Sequence, residues 1–192
     1  MDKFSAVNSS ILLIALIIIL FCKVSMANKS EDFNKADTIK INEYINNASK
    51  YINIKPDSAK FFIDSLMDLS VKSNNYYGLF KSYNNNGIYY WMYSQYDSAL
   101  INYKKALEYS ALTTEKRNKA LVLGNIGLLY SNLFITDSAN KYLKESIDYC
   151  QKYKINDILT KSRYDLGILY LNQGSYVKAL MYFKPVEYIL KL

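Results

Sequence analysis

An all-α chain, an α-solenoid of stacked antiparallel helix pairs behind an N-terminal export signal, is predicted by three observations. Glycines recur forty residues apart at Gly87, Gly127 and Gly167, each followed three residues later by a tyrosine, Tyr90, Tyr130 and Tyr170. An alanine stands twelve residues after each glycine, at Ala99, Ala139 and Ala179, with a bulky residue four further on, at Tyr103, Leu143 and Phe183. Spacings of three and four place residues on one helix face, and a fixed period of this size marks a repeat array. The third observation is the apolar run from Ile11 to Cys22, preceded by Lys3 and followed by the small residues Ser25 and Ala27. This is the layout of a secretory signal.

Taken in chain order, residues 1–27 are read as the signal peptide. Twelve apolar residues are too few to settle across a hydrocarbon core of ~30 Å, and the Ser25-x-Ala27 frame suits cleavage. Two rivals stay open. Cys22 is placed like the cysteine of a bacterial lipoprotein signal, although Phe21 stands where a small residue is wanted. An uncleaved anchor from Ala6 to Ala27 would be interrupted by Asn8, Ser9, Ser10 and Lys23. Residues 28–36 form a linker. The exported chain then keeps a single cysteine, Cys150, so no intramolecular disulfide is expected and stability rests on helix packing. Cys150 is expected as a small buried residue on a second helix.

Residues 37–192 carry four units, about 37–74, 75–113, 114–154 and 155–192. The first is degenerate: Pro56-Asp57-Ser58-Ala59 repeats the later helix-opening phrase, but Ala48 and Tyr51 replace the Gly-x-x-Tyr pair one residue out of register. In the second and third units Asp97 and Asp137 are expected to open the second helix by accepting backbone N–H groups. In the fourth, Gly174 ends one helix and Ser175 begins the next. A mid-helix glycine costs roughly 1 kcal/mol against alanine. Its regular return therefore predicts a second backbone passing too close for a Cβ. Pro185 falls inside the last helix, where proline costs ~3 kcal/mol, and the chain stops at Leu190-Lys191-Leu192. Repeat arrays normally close with a polar element. The last unit is thus expected to pack on a partner, or the reading frame to be truncated.

Gly167-Ile168-Leu169-Tyr170, followed by Gln173-Gly174-Ser175-Tyr176 and Ala179-Leu180-x-x-Phe183, resembles the tetratricopeptide repeat. The match is specific in the fourth unit and good in the second and third. The family period is about 34 residues, so this chain is similar to longer-helix variants seen in some bacterial regulators, with the additional residues expected in the second helix or its exit loop. The resemblance implies a concave surface lined by first helices, where a protein or peptide binds. It assigns inward positions to Lys81, Asn85, Ile88 and Trp91 in the second unit. In the third they are Leu121, Asn125, Leu128 and Ser131, and in the fourth Lys161, Asp165, Ile168 and Leu171. Asn85 and Asn125 suit an extended peptide because an amide both donates and accepts. Lys81 and Lys161 suit a carboxylate. Trp91, the only tryptophan, is either a binding anchor or a cap on the core.

Composition narrows the chemistry. The chain has no histidine, which removes the commonest general base and metal ligand together with Ser-His and Cys-His nucleophile pairs. Gly87, Gly124, Gly127 and Gly167 are helix positions and make no phosphate loop. No enzyme activity, cofactor or metal is therefore expected. The formal charge is +7, but lysines are scattered among Asp, Glu and Asn, without the basic aromatic stripe of a nucleic-acid surface. Membrane association is expected only through the signal segment or a lipid anchor. The reading is an exported, periplasmic or envelope-associated scaffold that binds protein or peptide. Its alternative is the truncated extracytoplasmic sensory part of a signal-transduction protein.

Overall fold

The computed structural model describes residues 35–190, with side chains as far as Lys184. The expected signal peptide, Cys22 and most of the linker lie outside the described residues. The chain divides into two compact units, Met1–Asn42 and Glu43–Leu192. Of the first, only residues 35–42 are described, as the start of helix α1 (35–51). The second holds the rest of α1 and seven further helices: α2 Pro56–Lys72, α3 Tyr76–Met92, α4 Tyr96–Ser110, α5 Lys116–Asn132, α6 Thr136–Tyr153, α7 Asn156–Asn172 and α8 Tyr176–Leu190. Among the described residues every regular element is a helix.

From α2 onward each helix starts twenty residues after the one before, so the forty-residue unit is two equal steps. The first helices are all 17 residues long, whereas α4 has 15 and α6 has 18. The longer the second helix, the shorter its exit: residues 111–115 follow α4 but only 154–155 follow α6. Second helix and exit loop thus share the additional length, each taking what the other leaves.

Five of the helix exits share one geometry. Asn74, Ser94, Phe134, Lys154 and Gly174 all have left-handed backbone, with φ between 50° and 71°. At each, the next residue's N–H reaches back to a carbonyl in the last helical turn: Asn75 to Ser70, Gln95 to Tyr90, Ile135 to Tyr130, Ile155 to Cys150 and Ser175 to Tyr170, all at 2.9 Å. This satisfies carbonyls the helix end would otherwise orphan. Glycine normally fills such a position, and here only Gly174 does.

The helix starts correct one expectation. Asp57, Asp97 and Asp137 lie inside the first turn, while the capping residues are Lys55, Gln95 and Ile135, none with a side-chain cap bond. The aspartates serve the positive end of the helix dipole. The repeated alanines make the first helical bonds, their N–H groups donating to the carbonyls of Lys55, Gln95, Ile135 and Ser175 at 2.9–3.0 Å.

The repeated glycines also act differently from expectation. A Cβ on Gly87 would lie 2.4 Å from the Tyr103 ring, on Gly127 2.7 Å from Leu143 Cγ, and on Gly167 2.4 Å from the Phe183 ring. The glycine therefore receives the bulky side chain sixteen residues later, on the partner helix, and not a second backbone. Only at Gly127 does backbone also close in, with the Leu143 nitrogen at 3.0 Å. Glycine and bulky residue form a notch and tooth on one seam. Around it cluster Phe80, Ala99, Tyr103, Ala106, Val122, Ile126 and Leu129 in one core, and Ala139, Leu143, Leu166 and Tyr170 in the next. In the degenerate unit Ala48, Ile52, Ala59 and Ile63 do the same work.

Helices pair as α3 with α4, α5 with α6 and α7 with α8. Across pairs, α5 approaches both α3 and α7, whereas α2, α4 and α6 do not approach one another. One layer is thus continuous and the other splayed, leaving the α3–α5–α7 layer as the inner surface. Cys150 is fully buried against Ala120 and Ile158, and burial pushes its thiol pKa up, which keeps it inert. Helix α8 runs through Pro185 to Leu190, as expected of a proline inside the helix, which deletes one i→i−4 bond. Tyr176, Val177, Leu180 and Met181 of α8 are exposed.

Candidate binding groove

The period stacks Asn85, Asn125 and Asp165 in one column on the inner layer, flanked by the column Ile88, Leu128 and Ile168. The polar column is wired by residues outside it. Asn125 Nδ2 donates to Asn84 Oδ1 at 3.0 Å, Lys161 Nζ donates to Asn125 Oδ1 at 3.4 Å, and Asn84 Nδ2 lies 3.5 Å from Asn85 Oδ1. Asn84, Asn85 and Asn125 are all buried. Buried amides need such partners because an unmade bond costs ~1–3 kcal/mol. The chain therefore ties α3 to α5 through two amides and α5 to α7 through the Lys161 ammonium. Asn85 Nδ2 itself finds no acceptor.

Two clefts open on this layer. The first, about 220 Å³, is lined by Ile88, Trp91, Tyr103, Asn125, Leu128 and Lys161. Its walls are mostly apolar, with one amide and one ammonium, the composition of a site that binds by burial and orients by a few polar groups. The second, about 570 Å³, is lined by Leu128, Ser131, Asp165 and Ile168 together with the aromatics Tyr96, Phe134 and Tyr164. Leu128 belongs to both.

Of the inward positions implied by the resemblance, Ile88, Trp91, Asn125, Leu128, Lys161, Ser131, Asp165 and Ile168 meet in these clefts. Lys81 and Asn85 line neither. The Lys81 ammonium lies 5.3 Å from the Tyr77 ring and 5.7 Å from Phe80 on its own helix, and burial lowers its pKa against the opposing pull of Glu115. Leu121 packs into the core, and Leu171 is exposed. Trp91 is half-buried, packing on the core while lining the first cleft.

Asp165 sits uneasily. Its Oδ2 is shielded from water and accepts no hydrogen bond. Burial raises the carboxyl pKa, and Lys161, one turn earlier on the same helix, offsets this only in part. Among the described residues no group of His, Cys, Asp and Glu side chains is arranged to hold a metal.

Sequence reasoning passed over Asn84, Tyr96, Phe134 and Tyr164. Phe134 left a readable trace: it occupies the slot that holds Gly174 forty residues later, which marks a left-handed position.

The backbone is similar to that of three solved structures. A Signal Transduction ATPase with Numerous Domains (STAND) protein with a tetratricopeptide repeat sensor, from Pyrococcus horikoshii, aligns with a TM-score of 0.67 and 21% identity over 78% of this chain and 24% of its own. BtubC (BKLC) from P. vanneervenii aligns with a TM-score of 0.67 and 19% identity over 79% and 63%. The apo form of RapI aligns with a TM-score of 0.69 and 21% identity over 79% and 56%. The chain therefore spans less than two thirds of each of these proteins. At such identities the likeness is one of fold, a helical repeat. No protein-family model matches the chain, and no curated protein matches it.

Proposed function

We propose that this chain is an exported scaffold of the tetratricopeptide type, without catalytic activity, whose α3–α5–α7 layer binds a protein segment or peptide. One observation carries the reading: the first cleft is built from three successive first helices, and most of its lining falls on the positions that the resemblance assigns to the inner surface. A floor of Ile88, Trp91 and Leu128 supplies apolar area, while Asn125 and Lys161 are placed to orient a main chain or side chain. Export rests on the signal-like residues 1–27. No helix among the described residues is long and apolar enough to cross a membrane.

The fold likeness to a protein with a tetratricopeptide repeat sensor supports the second reading, in which the array is the sensory part of a longer signalling protein. Both readings use the same layer.

Leu128 is half-buried and shared by both clefts, so Leu128→Lys places a charge in each. Fluorescence anisotropy with a labelled pool of random peptides should show affinity for the unmodified protein and at least ~10-fold weaker binding to the variant. Helical circular dichroism should be retained. Equal binding by the two proteins would move the site off this layer.

A further inference from the structure

We propose that the second cleft is the subsite for a basic side chain, arginine or lysine, of the bound peptide, with Asp165 as its counter-charge and Phe134, Tyr96 and Tyr164 as its walls. The inference rests on the peptide-binding reading above and names what this part of the groove selects.

Two features of the free protein are unfavourable for folding, and both border one cleft. Asp165 has a carboxylate oxygen removed from water with no donor supplied. A shielded carboxylate oxygen without a donor is expensive, and the Lys161 ammonium donates to Asn125 Oδ1 and only partly offsets the burial of Asp165. Phe134 holds a left-handed backbone at φ 58° with its side chain 86% exposed. The fourth unit fills that slot with Gly174, which has no Cβ and fits it with less strain. A large apolar side chain at a strained, wetted turn gains nothing from the fold.

A cation entering the cleft resolves both. It supplies the missing charge and donors to Asp165, and its planar or aliphatic stem lies between aromatic faces, whose quadrupoles attract cations. The setting reinforces the selectivity, because the chain as a whole is positively charged. A basic ligand is therefore drawn to this cleft by its local carboxylate and not by the surface at large. The first cleft, with Lys161 and no acid among its lining residues, takes a neutral or acidic neighbour.

The test uses the full chain and three fluorescein-labelled peptide pools, randomised at the flanks and fixed at the centre as arginine, glutamate or norleucine. The arginine pool should bind about tenfold tighter than the norleucine pool and tighter still than the glutamate pool. Asp165→Asn should bring the arginine and norleucine pools to within about twofold of one another. Phe134→Gly should weaken the arginine pool selectively, with a melting temperature no lower than the parent's, which excludes unfolding as the cause. Pools that bind equally well, or an arginine preference that survives Asp165→Asn, would overturn this assignment and leave the peptide groove intact. Failure of all three pools to bind would overturn the groove itself.

Discussion

The seam between paired helices and the groove on the inner layer obey the same forty-residue period and use it in opposite ways. On the seam the period is kept in the side chains: Gly87 takes Tyr103, Gly127 takes Leu143 and Gly167 takes Phe183. On the groove the backbone keeps the period while individual side chains break it. Asn85 and Asn125 give way to Asp165, and the slot of Ser94 and Gly174 holds Phe134. Seam residues answer to close packing, where each position has one complementary partner and little tolerance. On the proposed reading, groove residues answer to a ligand. The departures from the repeat that burden the free protein then point to the proposed binding surface more sharply than the repeat does.

The largest effect that would break this contrast is expected on the seam. Gly127→Leu drives new atoms into Leu143, whose main chain stands too close to yield, and should cost ~3 kcal/mol. For a domain of this size that is a fall of roughly 6 to 12 °C in melting temperature. An unchanged melting curve would remove the notch-and-tooth account.

On the groove the sign should reverse. Asp165→Asn removes a shielded charge that lacks a donor and is expected to stabilise by ~1 kcal/mol. Because burial holds the Asp165 pKa above its ordinary 3.8, the native state binds this proton more tightly than the unfolded chain. The destabilisation is then full above the native pKa, shrinks as pH falls through it, and is gone below 3.8. Melting the two proteins across pH should show their gap widest at neutrality and closing in acid. A gap independent of pH would assign it to packing.

Phe134→Gly is the smallest of the three, a gain of up to ~1 kcal/mol from relief of the left-handed backbone, read as a rise of a few degrees at most. A clear loss of stability would mean that Phe134 packs in a way its exposure conceals.

Much of the fold was legible because the markers are packing residues, and packing repeats when geometry repeats. Ala99, Ala139 and Ala179 located helix starts, and the glycines located the seam. What stayed hidden was the half-step of twenty, since α2, α4 and α6 share few residues with α3, α5 and α7 and only backbone geometry unites them. In the groove, Ile88, Trp91, Asn125, Leu128 and Lys161 followed from the period. Asn84 did not, because its link to Asn125 spans forty-one residues and depends on side chains reaching one position out of column. Phe134 and Tyr164 required knowing which way a turn and a helix face, which spacing alone does not give.

A helix start every twenty residues makes helix order a matter of parity. The chain reverses at each step, so odd-numbered steps build one wall of the array and even-numbered steps the other. Excising residues 116–155 would join α4 to α7 and leave every later helix on its proper side, whereas excising 116–135 would turn the remaining helices inside out. Length variants of this protein that still fold are therefore expected to differ by whole units of forty and never by a single helix.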